Sequence, residues 1–105
     1  MKRGDICWYT FNEPDKRRPV LIMTRDSAIA VLNCVTIAPI TTTIRSIPTE
    51  LLLSSDDGLP AESAVNCDNL QTVPKANISA RIAHLSATKM RAASAAVAFA
   101  LALGE

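Results

Sequence analysis

Apolar and polar positions fall in short blocks along this chain, and the blocks predict a series of strands followed by one helix. Ile6 to Phe11 is rich in aromatic and β-prone residues (Trp8, Tyr9, Phe11) and reads as a first strand. Asn12-Glu13-Pro14-Asp15 is a turn cluster. Val20 to Thr24 predicts a second strand. Its run from Val20 to Met23 is apolar without alternation, the pattern of a strand buried on both faces. Ala28 to Leu32 predicts a short helical turn or a loop. Asn33 to Ile40 predicts a third strand, and Pro39 within it, lacking an N–H, is expected at a sheet edge or a bulge. Pro48 to Leu53 reads as a fourth strand and Ser54 to Pro60 as a turn. Ser63 to Cys67 and Asn69 to Val73 read as one bent strand or two short ones, closed by Pro74. One helical turn over Ala76 to Ser79 and a last short strand over Arg81 to Leu85 complete the β part.

The C-terminal segment has a different period. Met90, Ala93, Val97 and Leu101 recur three to four apart, and the alanines between them favour helix. Ser86 is a good N-cap and Gly104 a stop signal, which predicts a helix of ~18 residues and ~27 Å. It is apolar nearly all round, so more than one covered face is expected. Short strands at hairpin spacing followed by one helix predict an α+β fold: a small, strongly bent antiparallel barrel with the helix packed on it.

At 105 residues and 49% hydrophobic, the chain suits a single domain spanning 1–105 with a packed core. The net charge of +1 argues against polyanion binding driven by overall charge, but six of the eleven Lys and Arg residues lie in the first 25 positions. A local basic patch is therefore expected. Cys7, Cys34 and Cys67 form no CxxC pair and each reads as a buried free thiol, which fits a reducing cytosol. With one histidine, His84, and no His/Cys cluster, no metal or other cofactor is expected. His84 itself lies in an apolar run and reads as a structural histidine. No N-terminal signal pattern is present, and the apolar segment Ala92 to Leu103 is too short to span a bilayer core of ~30 Å, so no membrane association is expected.

The densest cluster of chemistry is Lys16-Arg17-Arg18, directly followed by Pro19 and the buried strand. Pro19 pushes Arg18 towards an extended conformation, so a rigid strand carries the cations, and a guanidinium held this way can bind phosphate through its planar fork of donors. The alternatives are a solvated charge run, or a salt bridge from Arg18 to Asp15 or Asp26.

Several motifs in order resemble the MazF/PemK family of bacterial toxins. They are Arg3-Gly4-Asp5-Ile6, Arg18-Pro19-Val20-Leu21-Ile22, Ala38-Pro39-Ile40-Thr41, Cys67-Asp68-Asn69-Leu70-Gln71-Thr72-Val73, and Ile82-Ala83-His84-Leu85-Ser86 leading into the helix. Each motif alone is weak, whereas the ordered set covers essentially the whole chain. The resemblance implies an SH3-like barrel, a cytoplasmic homodimer, and a sequence-specific endoribonuclease. Such an enzyme cleaves single-stranded mRNA, inhibits translation and growth, and is neutralised by a cognate antitoxin. By position, Arg18 matches the family's catalytic arginine and Thr41 its active-site threonine, while Asp68 matches an acidic position implicated in some members. Lys16, Arg17, Asn69 and Gln71 are the expected RNA-binding residues. Three departures stand out: a short loop at about Asn12 to Arg17, Asn69 where the family usually has Gln, and Gln71 in place of a basic residue.

The residue types suit that chemistry. RNA cleaves itself when its 2′-hydroxyl attacks the adjacent phosphate, with no enzyme nucleophile or metal. The protein must align the 2′-oxygen with the leaving 5′-oxygen, stabilise the phosphoryl oxygens and move two protons. Arg18 can neutralise the pentacovalent phosphate and Thr41 can donate one hydrogen bond to it. Asp68 is a base or an orienting partner for Arg18. Thr41 as a turn cap, and Asp68 and Asn69 as turn formers, are the structural alternatives. A different function on the same barrel is that of the CcdB toxin, which grips DNA gyrase without catalysis. CcdB-like proteins use a Trp-containing C-terminal end, whereas this sequence closes Leu103-Gly104-Glu105 and keeps the Arg-Pro pair and the Pro-Ile-Thr run. A family member that binds RNA without cutting it is the third reading.

Overall fold

The computed structural model describes residues 1–11 and 17–104. The turn cluster at 12–15 and Lys16 lie outside the described residues. β1 (Asp5–Thr10), β2 (Arg17–Ile22) and β3 (Cys34–Thr41) pair antiparallel, and β4 (Glu50–Leu53), β5 (Ser63–Asn66), β6 (Gln71–Pro74) and β7 (Ile78–His84) extend them into one seven-stranded sheet. The order is β4-β5-β3-β2-β1-β7, with β6 also paired to β3. Among the described residues the sheet does not close, since β4 and β7 stand at its two ends. A four-residue helix α1 (Asp26–Ile29) links β2 to β3, and helix α2 (Ala87–Ala100) ends the chain.

The central strands are apolar on both faces because each face has its own core. Ile6, Leu21, Ala38 and Ile40 pack with Leu51, Leu53, Val65, Leu85 and the α2 residues Ala93 and Ala96. Their neighbours Cys7, Tyr9, Val20, Ile22, Val35 and Ile37 point the other way and pack with Ile29 and Val73. This strict alternation is why the run Val20 to Met23 is buried throughout. Cutting a fully buried side chain such as Leu21 or Ile37 to Ala costs roughly 2–5 kcal/mol.

β3 is the hub, and this corrects the expected edge position of Pro39. Cys34 to Ile37 pair with β6, Ile40 and Thr41 pair with β5, and Pro39 falls in the gap between the two ladders while facing Val20 of β2. A residue without an N–H fits an interior strand at the point where its neighbour changes. The two short strands β5 and β6 resolve the segment expected to be bent or broken, with a turn at Cys67 to Asn69 between them. Gly4 leads into β1 at φ +94, donating to the Ile22 carbonyl (2.9 Å) and accepting from Leu85 (3.0 Å). A Cβ there would lie 3.3 Å from His84 Cε1 and from Met90 Cγ, so the left-handed turn and the packing both favour glycine.

Two further expectations change. The helix has 14 residues and stops before Gly104, because Ala102 takes the left-handed conformation (φ 56) and Leu103 donates back to the Ala98 carbonyl (2.8 Å). Among the described residues only one of its faces is covered: Ala93 and Ala96 are buried, while Phe99 is 64% exposed. Cys34, expected to be buried, is exposed at the start of β3, whereas Cys7 and Cys67 are buried as expected.

Candidate active site

The β2–β3 register brings the two leading candidates together. Ile22 faces Ile37, Leu21 faces Ala38 and Val20 faces Pro39. Arg18 lies two residues before Val20 on β2, and Thr41 two residues after Pro39 on β3. Both line one cleft of about 540 Å³. Phe11, just past the end of β1, lines one part of it. Thr43 and Arg45 enter from the loop after β3, Glu50 from the start of β4, Asn66 from the end of β5, and Asn69 and Gln71 from the turn and strand beyond.

Each side chain has a local reason for its place. Arg18 lies within β2 opposite Tyr9, and it is exposed. Arg17 points elsewhere, its guanidinium 4.8 Å from the centre of the Trp8 ring. Thr41 is the last residue of β3, and its hydroxyl oxygen accepts from the Thr43 N–H (3.1 Å), which leaves the hydroxyl proton available to a ligand. Of the two carboxylates offered as ion-pair partners for Arg18, that of Asp26 accepts from the Arg3 N–H (2.7 Å), and Asp15 lies outside the described residues.

The turn after β5 is tied from within. Asn66 Oδ1 accepts from the Asp68 N–H (3.0 Å) and the Asn66 carbonyl accepts from the Asn69 N–H (3.4 Å). This holds the Asn69 amide in the cleft. Asp68 stands apart from the lining residues, and its carboxylate accepts a hydrogen bond from the Thr49 hydroxyl at 2.6 Å. Burial, aided by the adjacent Asp68 charge, pushes the Cys67 thiol up to about 11, so it supplies no thiolate near neutral pH. His84 is likewise distant from the chemistry, bonded through Nδ1 to Asp5 Oδ1 at 2.8 Å.

The cleft thus gathers Arg18, Thr41, Asn69 and Gln71, leaves Arg17 and Asp68 outside its lining, and adds Arg45, Glu50, Asn66 and Phe11. Arg45 was detectable as the one cation between Arg25 and Lys75. Glu50 and Asn66 carried no such signal. Two guanidiniums, two threonine hydroxyls and three amides around one hollow can bind an anionic ester and hydrogen-bond base edges. Among the described residues there is no group of three or more His, Cys, Asp or Glu placed to hold a metal ion. A second groove, of about 830 Å³, runs between the β2–β3 connection and α2, with Leu32, Cys34, Val97 and Leu103 on its walls.

Comparison with known proteins gives a consistent result. The family described as "PemK-like, MazF-like toxin of type II toxin-antitoxin system" matches residues 2–101. The protein named Endoribonuclease MazF3 of Mycobacterium tuberculosis is 43% identical over 83 residues, which is 79% of this chain and 81% of the relative. The solved structure of Mycobacterium tuberculosis toxin MazF-mt6 superposes with a TM-score of 0.88 at 39% identity, covering 96% of this chain and 99% of the other. A mycobacterial endoribonuclease solved in complex with its cognate antitoxin gives 0.90 at 26% identity, covering 100% and 98%. With a match that runs nearly end to end, the chain belongs to the PemK/MazF family of toxins.

Proposed function

We propose that this chain is an endoribonuclease toxin that cleaves single-stranded RNA by directing the RNA's own 2′-hydroxyl onto the adjacent phosphate. The observation that carries the reading is the placement of Arg18 and Thr41 in one cleft. Arg18 neutralises the non-bridging oxygens as the phosphate becomes pentacovalent, and Thr41 donates a hydrogen bond to the same group. Asn69 and Gln71 present amides to the bases on either side of the cut. Bond making and breaking balance within the RNA: the 2′-oxygen gives up its proton and bonds phosphorus, the bond from phosphorus to the 5′-oxygen breaks, the 5′-oxygen takes up a proton, and a 2′,3′-cyclic phosphate remains.

The chain acts in the cytoplasm, where mRNA is translated, and a cognate antitoxin neutralises it, as the complex of a relative suggests. It works as a homodimer. The stretch from Ile29 to Ile44 carries no charged residue, which the interior position of β3 accounts for in part. Better support comes from Val31 and Leu32, 77% and 48% exposed, and from Leu103 at 62%, which shares a groove with Leu32. Gyrase binding in the manner of CcdB is not favoured, because the relatives are named endoribonucleases.

The test is direct. End-labelled single-stranded RNA incubated with the protein in excess EDTA should be cut, leaving 2′,3′-cyclic phosphate and 5′-hydroxyl ends. The same RNA with a 2′-deoxy sugar at the cut should survive. Activity lost in EDTA and restored by magnesium would overturn the mechanism.

A further inference from the structure

The cleft holds an anionic side chain where an anionic substrate is expected, and its bonds explain why. Glu50 opens β4 at the far end of the loop that follows Thr41. One carboxylate oxygen, Oε1, accepts from two successive backbone donors, the N–H of Arg45 (2.8 Å) and of Ser46 (3.1 Å). Ser46 has a left-handed backbone (φ 56), an unusual state for a residue with a side chain, and turns of this kind aim consecutive N–H groups at a single anion. The Glu50 N–H in turn donates to the Ile47 carbonyl (2.9 Å), which completes the closure. The carboxylate therefore shapes the loop, and the shape sends Arg45 into the cleft that Arg18 and Thr41 occupy.

We infer that Glu50 is a positioning residue that fixes Arg45 as a second backbone contact, to the RNA phosphate next to the one being cut. The inference rests on the endoribonuclease reading and deepens it. Two guanidiniums on one strand of RNA have separate tasks: Arg18 meets the reacting phosphate, and Arg45 holds its neighbour and sets how tightly the strand is seated. The Glu50 charge opposes RNA binding at short range, so its presence makes sense through the loop it holds rather than through contact with the substrate.

Kinetics on one RNA separate these roles. Arg45→Ala should raise KM about 10-fold, the scale of one charge-assisted hydrogen bond, and change kcat about twofold or less. It should also flatten the salt dependence of binding by about 0.7 in log–log slope, the value for one phosphate of a single strand, measured on an uncleavable RNA with a 2′-deoxy sugar. Glu50→Ala should raise KM to a similar degree, and the double variant should be no worse than either single one. Glu50→Gln keeps an acceptor oxygen and should restore KM to about the wild-type value. A loop with a merely structural role would move neither the salt slope nor the non-additivity.

Additive effects in the double variant would overturn the link between Glu50 and Arg45. So would a Glu50→Gln protein as impaired as Glu50→Ala. If the wild type leaves RNA uncut, the endoribonuclease reading fails. If it cuts while Arg45→Ala keeps both KM and salt slope, only the present inference fails.

Discussion

The Thr49 hydroxyl donates to the Asp68 carboxylate across 2.6 Å, and that bond fastens the loop after β3 to the turn between β5 and β6. The Cys67 N–H adds a second tie, to the Thr49 carbonyl at 3.0 Å. Thr49 is buried at 6% exposure, so the pair is shielded and its loss leaves a buried hydroxyl without its partner. These two segments supply Arg45 and Asn69 to the cleft, and the strand ends that flank the turn supply Asn66 and Gln71.

The first prediction follows from that bond. Asp68→Asn keeps an acceptor for Thr49 and should cut RNA at close to the wild-type rate. Asp68→Ala should lose about 1–2 kcal/mol of stability and a modest part of its activity through the displaced turn. Single-turnover cleavage with thermal melts on both variants decides it. An inactive but fully folded Asp68→Asn would make the carboxylate a proton-transfer group instead.

Much of this was legible in the sequence because the signals were local. The apolar run after Pro19 announced a strand buried on both faces, and Ser86 announced the helix start, where its side chain accepts from the Lys89 N–H (3.1 Å). What failed depended on tertiary pairing. Whether Pro39 sits at an edge or in the gap between two partners is set by β5 and β6, which lie more than 20 residues further along. Cys34 reads as buried from its apolar neighbours, yet it falls at a strand end where the sheet gives it no cover. The candidate site was half legible. Arg18 directly precedes Pro19 and Thr41 lies two residues after Pro39, both in recognisable motifs, whereas Glu50 acts through backbone N–H groups that have no sequence signature.

The second prediction concerns pH. Burial pushes the Asp5 carboxyl up, but the hydrogen bond to His84, the Lys2 N–H and the charges of His84 and Arg81 outweigh it and hold its pKa below the ordinary 3.8. A carboxylate depressed in the fold stabilises it fully above its unfolded pKa, and that contribution is lost as pH falls through the folded value. Wild type should therefore exceed Asp5→Asn in stability by roughly 1.5–3 kcal/mol at pH 7, and the gap should narrow below pH 3.8. Urea melts at pH 7 and at acid pH measure it. A gap that does not change with pH would show that the Asp5 charge contributes nothing.

The third prediction is the dimer. Sedimentation at micromolar concentration should give twice the mass of 11.3 kDa, and Leu32→Asp with Leu103→Asp should shift the protein to monomer. A wild-type monomer at that concentration would leave the exposed apolar patch unexplained by self-association.

The last prediction ranks three side chains on one RNA substrate. Arg18→Ala should lower the cleavage rate ~100- to 1000-fold, about 3–4 kcal/mol, which is the loss usual for one preorganised donor to a charged transition state. The fold should survive, because Arg18 is exposed on a strand anchored by the buried residues Val20, Leu21 and Ile22. Thr41→Ala should cost less, since a single neutral hydrogen bond is weaker than a charge-assisted pair. Arg17→Ala should cost least: its guanidinium stacks on Trp8 and takes no part in the cleft lining, so its removal alters only the local field felt by RNA. Circular dichroism on each variant guards against misfolding. Equal losses for Arg17→Ala and Arg18→Ala would mean that charge alone, and not position on the strand, drives the rate. An Arg18→Ala protein as fast as wild type would remove the arginine from the chemistry and leave Arg45 as the cation to test at the reacting phosphate.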